Sequence, residues 1–283
     1  MQEKIISGKA IAQQLIETDL IPRVQNLKTK GVTPKLVVVL VGDHAASASY
    51  VRQKEKFATK AGILSEVRRF DAETSEAEIL AEIQSINADQ TIHGVIVQLP
   101  LPKHVSIKKI LETIDPAKDV DGFTPVSVGN LFLGAPCLKC CTPKGIIRMI
   151  EGAGVDLSGK NVAVIGRSNI VGKPVAMLAL QKNATVTICH SRTKNLSAKI
   201  ADSDVVIVAV GKPKLIKAVD LPKGCVVIDV GIHRVDGKLC GDVDFDDVID
   251  HVAKISPVPG GVGPMTVVSL IENTIESAEN KSV

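Results

Sequence analysis

Tyr50 and Lys54 stand four residues apart in Tyr50-Val51-Arg52-Gln53-Lys54, so a helix through this segment carries both on one face. A phenol beside an amine can move protons, and Tyr50 is the only tyrosine in the chain. The spacing leaves two readings open: an acid–base pair, or a solvated face shared by Arg52, Lys54 and Lys56. An alcohol dehydrogenase of the short-chain type uses a Tyr-x-x-x-Lys pair, but places it after its nucleotide turn. In this chain the candidate turn comes long after Tyr50, beginning at Gly166.

That turn is Gly166-Arg167-Ser168-Asn169-Ile170-Val171-Gly172-Lys173-Pro174, between an apolar run, Asn161–Ile165, and a helical pattern. Glycine lets backbone approach a diphosphate, and the following helix supplies free amides and a positive dipole end. Pro174 suits a first helical turn. With two glycines rather than three, the motif alone also fits a tight strand-to-helix connection without ligand. The next apolar run ends in His190-Ser191-Arg192, where an NAD site would place a carboxylate on the ribose diol. A carboxylate there repels a 2′-phosphate, whereas hydroxyl and guanidinium groups bind one. With Arg167 nearby, the pattern predicts NADP.

Gln98-Leu99-Pro100-Leu101-Pro102 ends another apolar run, at the strand end where open α/β sheets place ligands. Asp119 and Asp121 lie in a turn-rich stretch, Asp115–Gly122, which fits either a site or ordinary turn chemistry. The Pro259–Pro264 loop presents backbone groups to a planar ligand or simply connects. Cys137, Cys140 and Cys141 form a C-x-x-C-C cluster, but no second pair completes a zinc set. Reduced, structural thiols and no metal are the expectation.

The positioning elements follow from periodicity. Unbroken apolar runs at Lys35–Val41, Gly94–Gln98, Asn161–Ile165, Thr185–Cys189, Val205–Val210 and Val226–Val230 predict buried parallel strands. Helical patterns cover Ser47–Lys60, Ser75–Ile86, Pro174–Gln181, Leu196–Ala201 and Met265–Ala278, and Ser7 opens another that runs towards Pro22. The Pro- and Gly-rich stretch Ser256–Pro264 reads as loop. With 283 residues, 45% of them hydrophobic, the chain can bury two cores. Its 34 basic and 31 acidic residues leave +3, and five Phe with no Trp offer few stacking platforms, which argues against nucleic-acid binding. No run is long enough to span a membrane and the N-terminus lacks a secretory pattern, so a cytoplasmic location is expected.

Taken together, the blocks Tyr50–Lys54, Val97–Pro102, Asp119–Gly122, Cys141-Thr142-Pro143-Lys144-Gly145, Gly166–Pro174 and Pro257–Thr266 resemble the methylenetetrahydrofolate dehydrogenase/methenyltetrahydrofolate cyclohydrolase family. They occur in that family's order and span nearly the whole chain. Thr124 and Asn130 depart from it, standing where members often carry His and Arg.

The resemblance implies an α/β fold of two domains flanking a cleft, the second Rossmann-like. Residues 1–120 with 265–283 would form a folate-binding catalytic domain, and 121–264 the NADP-binding domain. The enzyme would oxidise 5,10-methylenetetrahydrofolate with NADP and hydrolyse the methenyl product to 10-formyltetrahydrofolate. Lys54 would be the central catalytic residue, with Tyr50 packing on the folate, Gln98 tuning Lys54 and Asp121 holding the pterin. Val97, Leu99, Pro259, Gly260 and Gly263 would also contact the folate. Gly166, Arg167, Ser168, Ser191 and Ile232 would line the NADP site. The resemblance further implies a homodimer joined through the nucleotide domains.

Overall fold

The structure, a computed structural model, describes residues 2–42 and 45–281, and of residues 2 and 45–50 the backbone only. In chain order the elements are α1 (Gly8–Leu15), α2 (Ile21–Thr29), β1 (Lys35–Val41), α3 (Ala45–Ala61), β2 (Leu64–Phe70) and α4 (Glu76–Ala88). Then follow β3 (Gly94–Val97), α5 (Ile107–Thr113), α6 (Pro125–Leu133), α7 (Cys141–Gly152), β4 (Asn161–Ile165), α8 (Gly172–Gln181) and β5 (Thr185–Cys189). The chain closes with α9 (Leu196–Ile200), β6 (Val205–Val208), β7 (Val226–Asp229), β8 (His233–Val235), β9 (Lys238–Cys240), α10 (Phe245–Val248), β10 (Lys254–Ile255) and α11 (Val262–Lys281).

The chain divides into two compact units. One comprises Gln14–Cys141 and Val267–Val283 around a three-stranded parallel sheet in the order β2-β1-β3. β1 is its centre, and Leu36–Val41 are buried because helices cover a parallel sheet on both faces. Its core joins Val37, Val39 and Val41 to Ile79, Ile83 and Ile86 of α4. Ser75, read from the sequence as the first residue of the helical pattern, instead caps α4 in a reciprocal capping box with Glu78. At the other end of α4, the fully buried Lys118 donates to the carbonyls of Ile86, Asn87 and Asp89 at 2.6–2.8 Å. The Ile86 and Asn87 carbonyls belong to the last turn of the helix, and Asp89 O, at its C-cap, also accepts Ile92 N–H, so one internal ammonium ties the helix end together.

The second unit comprises Met1–Gln13 and Thr142–Thr266. Its five strands run parallel in the order β5-β4-β6-β7-β10, with β8 and β9 as a separate antiparallel hairpin. Chain direction across the sheet reverses at β4, which creates a topological switch point at its carboxyl end. Residues 1–13 belong here because Ile6 N–H donates to Ile255 O and Lys9 N–H to Gly260 O, each at 2.9 Å. Residues 121–141 stay with the three-stranded unit, where Asn273 of α11 holds the Val120 and Lys139 carbonyls at 2.8 and 2.7 Å. The units thus change over at residues 13, 141 and 266 rather than at 120 and 264.

Several boundaries differ from the sequence reading. The N-terminal helix passes Pro22 instead of ending near it, because a π-helical segment at Ile16–Leu20 lets Pro22 enter at the start of α2. β2 escapes the apolar-run criterion because, as an edge strand carrying Glu66, Arg68 and Arg69, it is only partly buried. α11 begins at Val262, inside the stretch read as loop, with Gly263 and Pro264 in its first turn. Proline costs little there, since a first-turn N–H has no helical partner.

Candidate active site

In the three-stranded unit, α3 carries Lys54. The helix is rich in alanine and lysine and ends where Gly62 adopts φ +81°, with Ile63 N–H reaching back to Ala58 O at 3.1 Å. Lys54 is not part of a solvated face: it is 8% exposed, and its Nζ donates to Gln98 Oε1 at 2.9 Å. Burial lowers its pKa from that of an ordinary lysine, against the opposing pull of Asp121 and Cys141. Tyr50 lies one helical turn earlier on α3, and its side chain lies outside the described residues.

Gln98 follows β3 directly. Its backbone N–H donates to Val39 O and its Nε2 to Leu99 O, at 2.9 and 2.8 Å, which turns Oε1 towards Lys54. Val97 is buried and Leu99 is 40% exposed, so the two neighbours of Gln98 divide between core and surface. The Leu99–Pro100 peptide is cis.

The Asp119–Gly122 turn runs beside β3, with Val95 N–H bonded to Lys118 O. Its two acids have different roles. Asp119 is buried and accepts the N–H groups of Gly122, Phe123 and Thr124 at 2.8–3.2 Å, which is turn chemistry. Asp121 instead interacts with Lys54 and the Cys141 thiol, and desolvation lifts its carboxyl to about 6.

The cysteine cluster supplies what residue-type reasoning misses. Cys140 Sγ donates to Gly122 O at 2.9 Å and Cys141 Sγ to Val120 O at 3.0 Å, so two buried thiols hold the carbonyls on either side of Asp121. Burial pushes the Cys140 thiol up to about 12, which keeps it a donor. All six cysteines are free thiols. Nothing in the one-dimensional C-x-x-C-C pattern marks this role. Asn273, which also holds Val120 O, was equally invisible before the fold brought α11 alongside.

In the five-stranded unit, the Gly166 turn sits at the switch point. Gly166 has φ +138°, and a Cβ there would collide with the Ala209 carbonyl; one on Gly172 would collide with the Gly166 carbonyl. Both glycines are therefore required by close backbone approach. Ser168 Oγ accepts from Val171 and Gly172 N–H at 3.1 and 3.3 Å at the start of α8. Arg167, Ser168, Ser191 and Arg192 are exposed. The β5 end is a built turn: Arg192 N–H donates to His190 Nδ1 at 3.1 Å, and His190 N–H to Thr193 Oγ1 at 2.9 Å. Ile232 is exposed after β7, 3.7 Å from where a Cβ on Gly263 would stand. Pro259, Gly260 and Gly263 belong to this unit; Gly260 has φ +97° and its carbonyl accepts Lys9 N–H. Glycines without room for a Cβ, a helix start and exposed cations without a carboxylate fit a dinucleotide with a 2′-phosphate.

The fold and site define a class: an enzyme with a Rossmann-like dinucleotide-binding unit and a second α/β unit that sets a buried lysine beside a half-buried glutamine and acid. The model of the tetrahydrofolate dehydrogenase/cyclohydrolase catalytic domain matches residues 6–121, and that of the same family's NAD(P)-binding domain matches residues 140–282. The chain belongs to the tetrahydrofolate dehydrogenase/cyclohydrolase family. It is 52% identical over 279 residues to the bifunctional protein FolD of Geotalea uraniireducens, covering 98% of this chain and 99% of that one. Among solved structures, the bifunctional FolD methylenetetrahydrofolate dehydrogenase/cyclohydrolase of Campylobacter jejuni superposes with a TM-score of 0.95 at 44% identity, covering 98% and 99% of the two chains. The Trypanosoma brucei methylenetetrahydrofolate dehydrogenase-cyclohydrolase, complexed with NADP cofactor and inhibitor, gives 0.91 at 35% identity over 98% and 97%.

Proposed function

We propose that this chain oxidises 5,10-methylenetetrahydrofolate to 5,10-methenyltetrahydrofolate with NADP and hydrolyses that product to 10-formyltetrahydrofolate, a one-carbon donor for routes such as purine biosynthesis. The observation that carries the reading is the 2.9 Å bond from the buried Lys54 to Gln98, beside Asp121. NADP, when bound, accepts the hydride. Gly166, Arg167, Ser168, Ser191 and Ile232 would hold it, with Arg192 on the 2′-phosphate.

Hydride leaves the methylene carbon directly, so the first step asks this chain for alignment rather than proton transfer. The cationic methenyl carbon then adds water. One proton of that water must leave as the C–O bond forms, and Lys54, its charged form disfavoured by burial, can accept it as an amine. Returned to the ring nitrogen, the same proton allows the C–N bond to break, while the hydroxyl of the adduct releases the second proton to solvent as its C=O forms and the formyl group remains on the other nitrogen. Gln98 keeps Nζ in one place through this exchange, and Asp121, fixed by the thiol-held carbonyls on either side, would bind the pterin. Tyr50, Val97, Leu99, Pro259, Gly260 and Gly263 would supply the remaining folate contacts.

We further infer a homodimer joined through the five-stranded unit. β5 is an edge strand, and Leu180 and Ile188 beside it are 54% and 39% exposed. An unpaired edge carrying exposed apolar side chains is suited to self-association. Among the described residues no helix is long and apolar enough to cross a membrane. The near-balanced charge and free thiols support a cytoplasmic enzyme that binds tetrahydrofolate derivatives rather than nucleic acid or membrane.

Mixing the protein with NADP and methylenetetrahydrofolate, and following NADPH and methenyl absorbance, tests the reading. Folate-dependent NADPH formation followed by decay of the methenyl signal is expected. A protein that binds NADP but leaves the folate unchanged refutes it.

A further inference from the structure

At the carboxyl ends of β6 and β7 lie two buried acids that the assigned NADP contacts do not include. Asp242, fully buried, accepts Val210 and Gly211 N–H on Oδ2 at 2.7 and 3.0 Å, and Lys212 N–H on Oδ1 at 2.9 Å. Three successive backbone N–H groups aimed at one carboxylate form an anion nest, and the protein fills it with its own anion. His233 Nε2 meets the same Oδ1 at 2.8 Å from the residue after Ile232. Beneath them Asp229, at the end of β7, accepts Gly231, Asp242 and Val243 N–H at 2.9–3.0 Å. A Cβ on Gly231 would collide with Asp242, and one on Gly241 with the Asp229 carboxylate, so the packing leaves no slack.

Strand order says what this network faces. The diphosphate turn lies at β4, and the His190–Arg192 turn that suits the 2′-phosphate follows β5 on one side. The other half of a dinucleotide must then run over the opposite side, across β6 and β7. There the loop after β6 abuts the Gly166 turn, since Ala209 N–H donates to Ile165 O at 2.8 Å and the Ala209 carbonyl leaves no room for a Cβ on Gly166.

We propose that Asp242 and His233 are positioning residues for the nicotinamide half of NADP, locking the 210–212 loop and Ile232 into one arrangement without touching the cofactor. The inference rests on the NADP-dependent reading above. Both residues lie in the five-stranded unit, whereas Lys54, Gln98 and Asp121 lie in the other. Losing the His233–Asp242 bond should therefore weaken NADP use and spare hydrolysis of supplied methenyltetrahydrofolate, a separation that general loss of structure would not produce.

The test uses the whole chain as His233→Leu, which fills space without a donor, and His233→Gln, whose amide can still donate to Asp242. NADP affinity is measured by calorimetry, and methenyl hydrolysis is measured without NADP. His233→Leu should bind NADP about tenfold more weakly, with hydrolysis within about twofold of the unmodified rate. His233→Gln should recover most of the affinity. NADP affinity within about twofold of the unmodified protein in His233→Leu, a parallel fall in affinity and hydrolysis, or no recovery in a folded His233→Gln overturns the proposal. If the leucine variant does not fold, His233→Asn, whose amide falls short of Asp242, is judged by the same affinity criterion. An unmodified protein that binds NADP without folate chemistry would sink the functional reading, while the variant affinities still decide this one. An unmodified protein that binds no NADP overturns both.

Discussion

Lys54 is asked for different things by the two reactions, and substitution should separate them. Proton transfer by a positioned group is worth about 10²–10⁴-fold, so Lys54→Met should slow methenyl hydrolysis by that order and accumulate methenyltetrahydrofolate. Dehydrogenase activity should retain a much larger fraction, with both rates measured on one folded preparation and hydrolysis corrected for its spontaneous background. Hydrolysis at the unmodified rate would remove Lys54 from the chemistry. Ser191→Asp tests the cofactor side: a carboxylate facing the 2′-phosphate should cut kcat/KM for NADP by about tenfold or more and leave that for NAD little changed. Equal losses with both cofactors would count against the assignment. Asp121 makes a prediction about pH. Its folded pKa of about 6 stands above the ordinary value of 3.8, so the fold binds its proton more tightly than the unfolded chain does. Stability is therefore lost as pH rises from 3.8 through 6, and the penalty is complete above 6. Asp121→Asn removes that penalty. Urea titrations should show its stability advantage over the unmodified protein grow across this interval, by on the order of 1–3 kcal/mol, and then level off. A difference that does not vary with pH would show that Asp121 titrates normally.

Elements present these residues through a few buried polar contacts, and Lys118 is the clearest. It holds three carbonyls at the end of α4, whose apolar face fills the core over β1. Lys118→Met keeps the packing volume but takes the ammonium from the Ile86, Asn87 and Asp89 carbonyls, of which Asp89 O keeps the Ile92 N–H. The expected cost is about 3 kcal/mol or more, read as a lower urea midpoint at unchanged slope. A loss below about 0.5 kcal/mol would show that water replaces the ammonium. The Asp119–Gly122 turn is held by the same kind of contact, with Asp119 capping from within and the Cys140 and Cys141 thiols gripping the carbonyls beside Asp121.

For the whole molecule, the exposed edge at β5 predicts self-association. Sedimentation at micromolar concentration should give a homodimer, and Ile188→Lys with Leu180→Lys should shift it towards monomer by placing like charges across the contact. A monomeric unmodified protein would discard the dimer and leave the enzyme reading intact. A dimer unaffected by the double substitution would place the interface elsewhere.

How much of this was legible depends on whether the physical cause is local. β1, β4 and β5 have the limits their apolar runs predict; β1 and β4 do so because a strand buried on both faces must be apolar throughout, whereas β5 is a largely exposed edge strand instead of the buried one expected. The helical pattern Ser75–Ile86 falls on α4 and its cap, and Gly166 and Gly172 mark a turn that admits no side chain. The family was readable from blocks of residues whose joint order is specific. β2 was not readable, because an edge strand mixes charges into its pattern. Nor was the start of α11, where propensity argues against Gly263 and Pro264 but helix position overrides it. Asp119 and Asp121 look alike in sequence. Only the tertiary structure separates them, because one carboxylate finds three backbone N–H groups and the other stands half-buried beside a lysine. The same holds for Lys54, whose burial comes from the packing around α3, and for Asp242 and His233, whose partners lie in other loops. Sequence by itself determined the elements whose cause is local and the chemistry available. Desolvation, and hence the role each charged group takes, depends on neighbours distant in the chain, and the tertiary structure alone decided it.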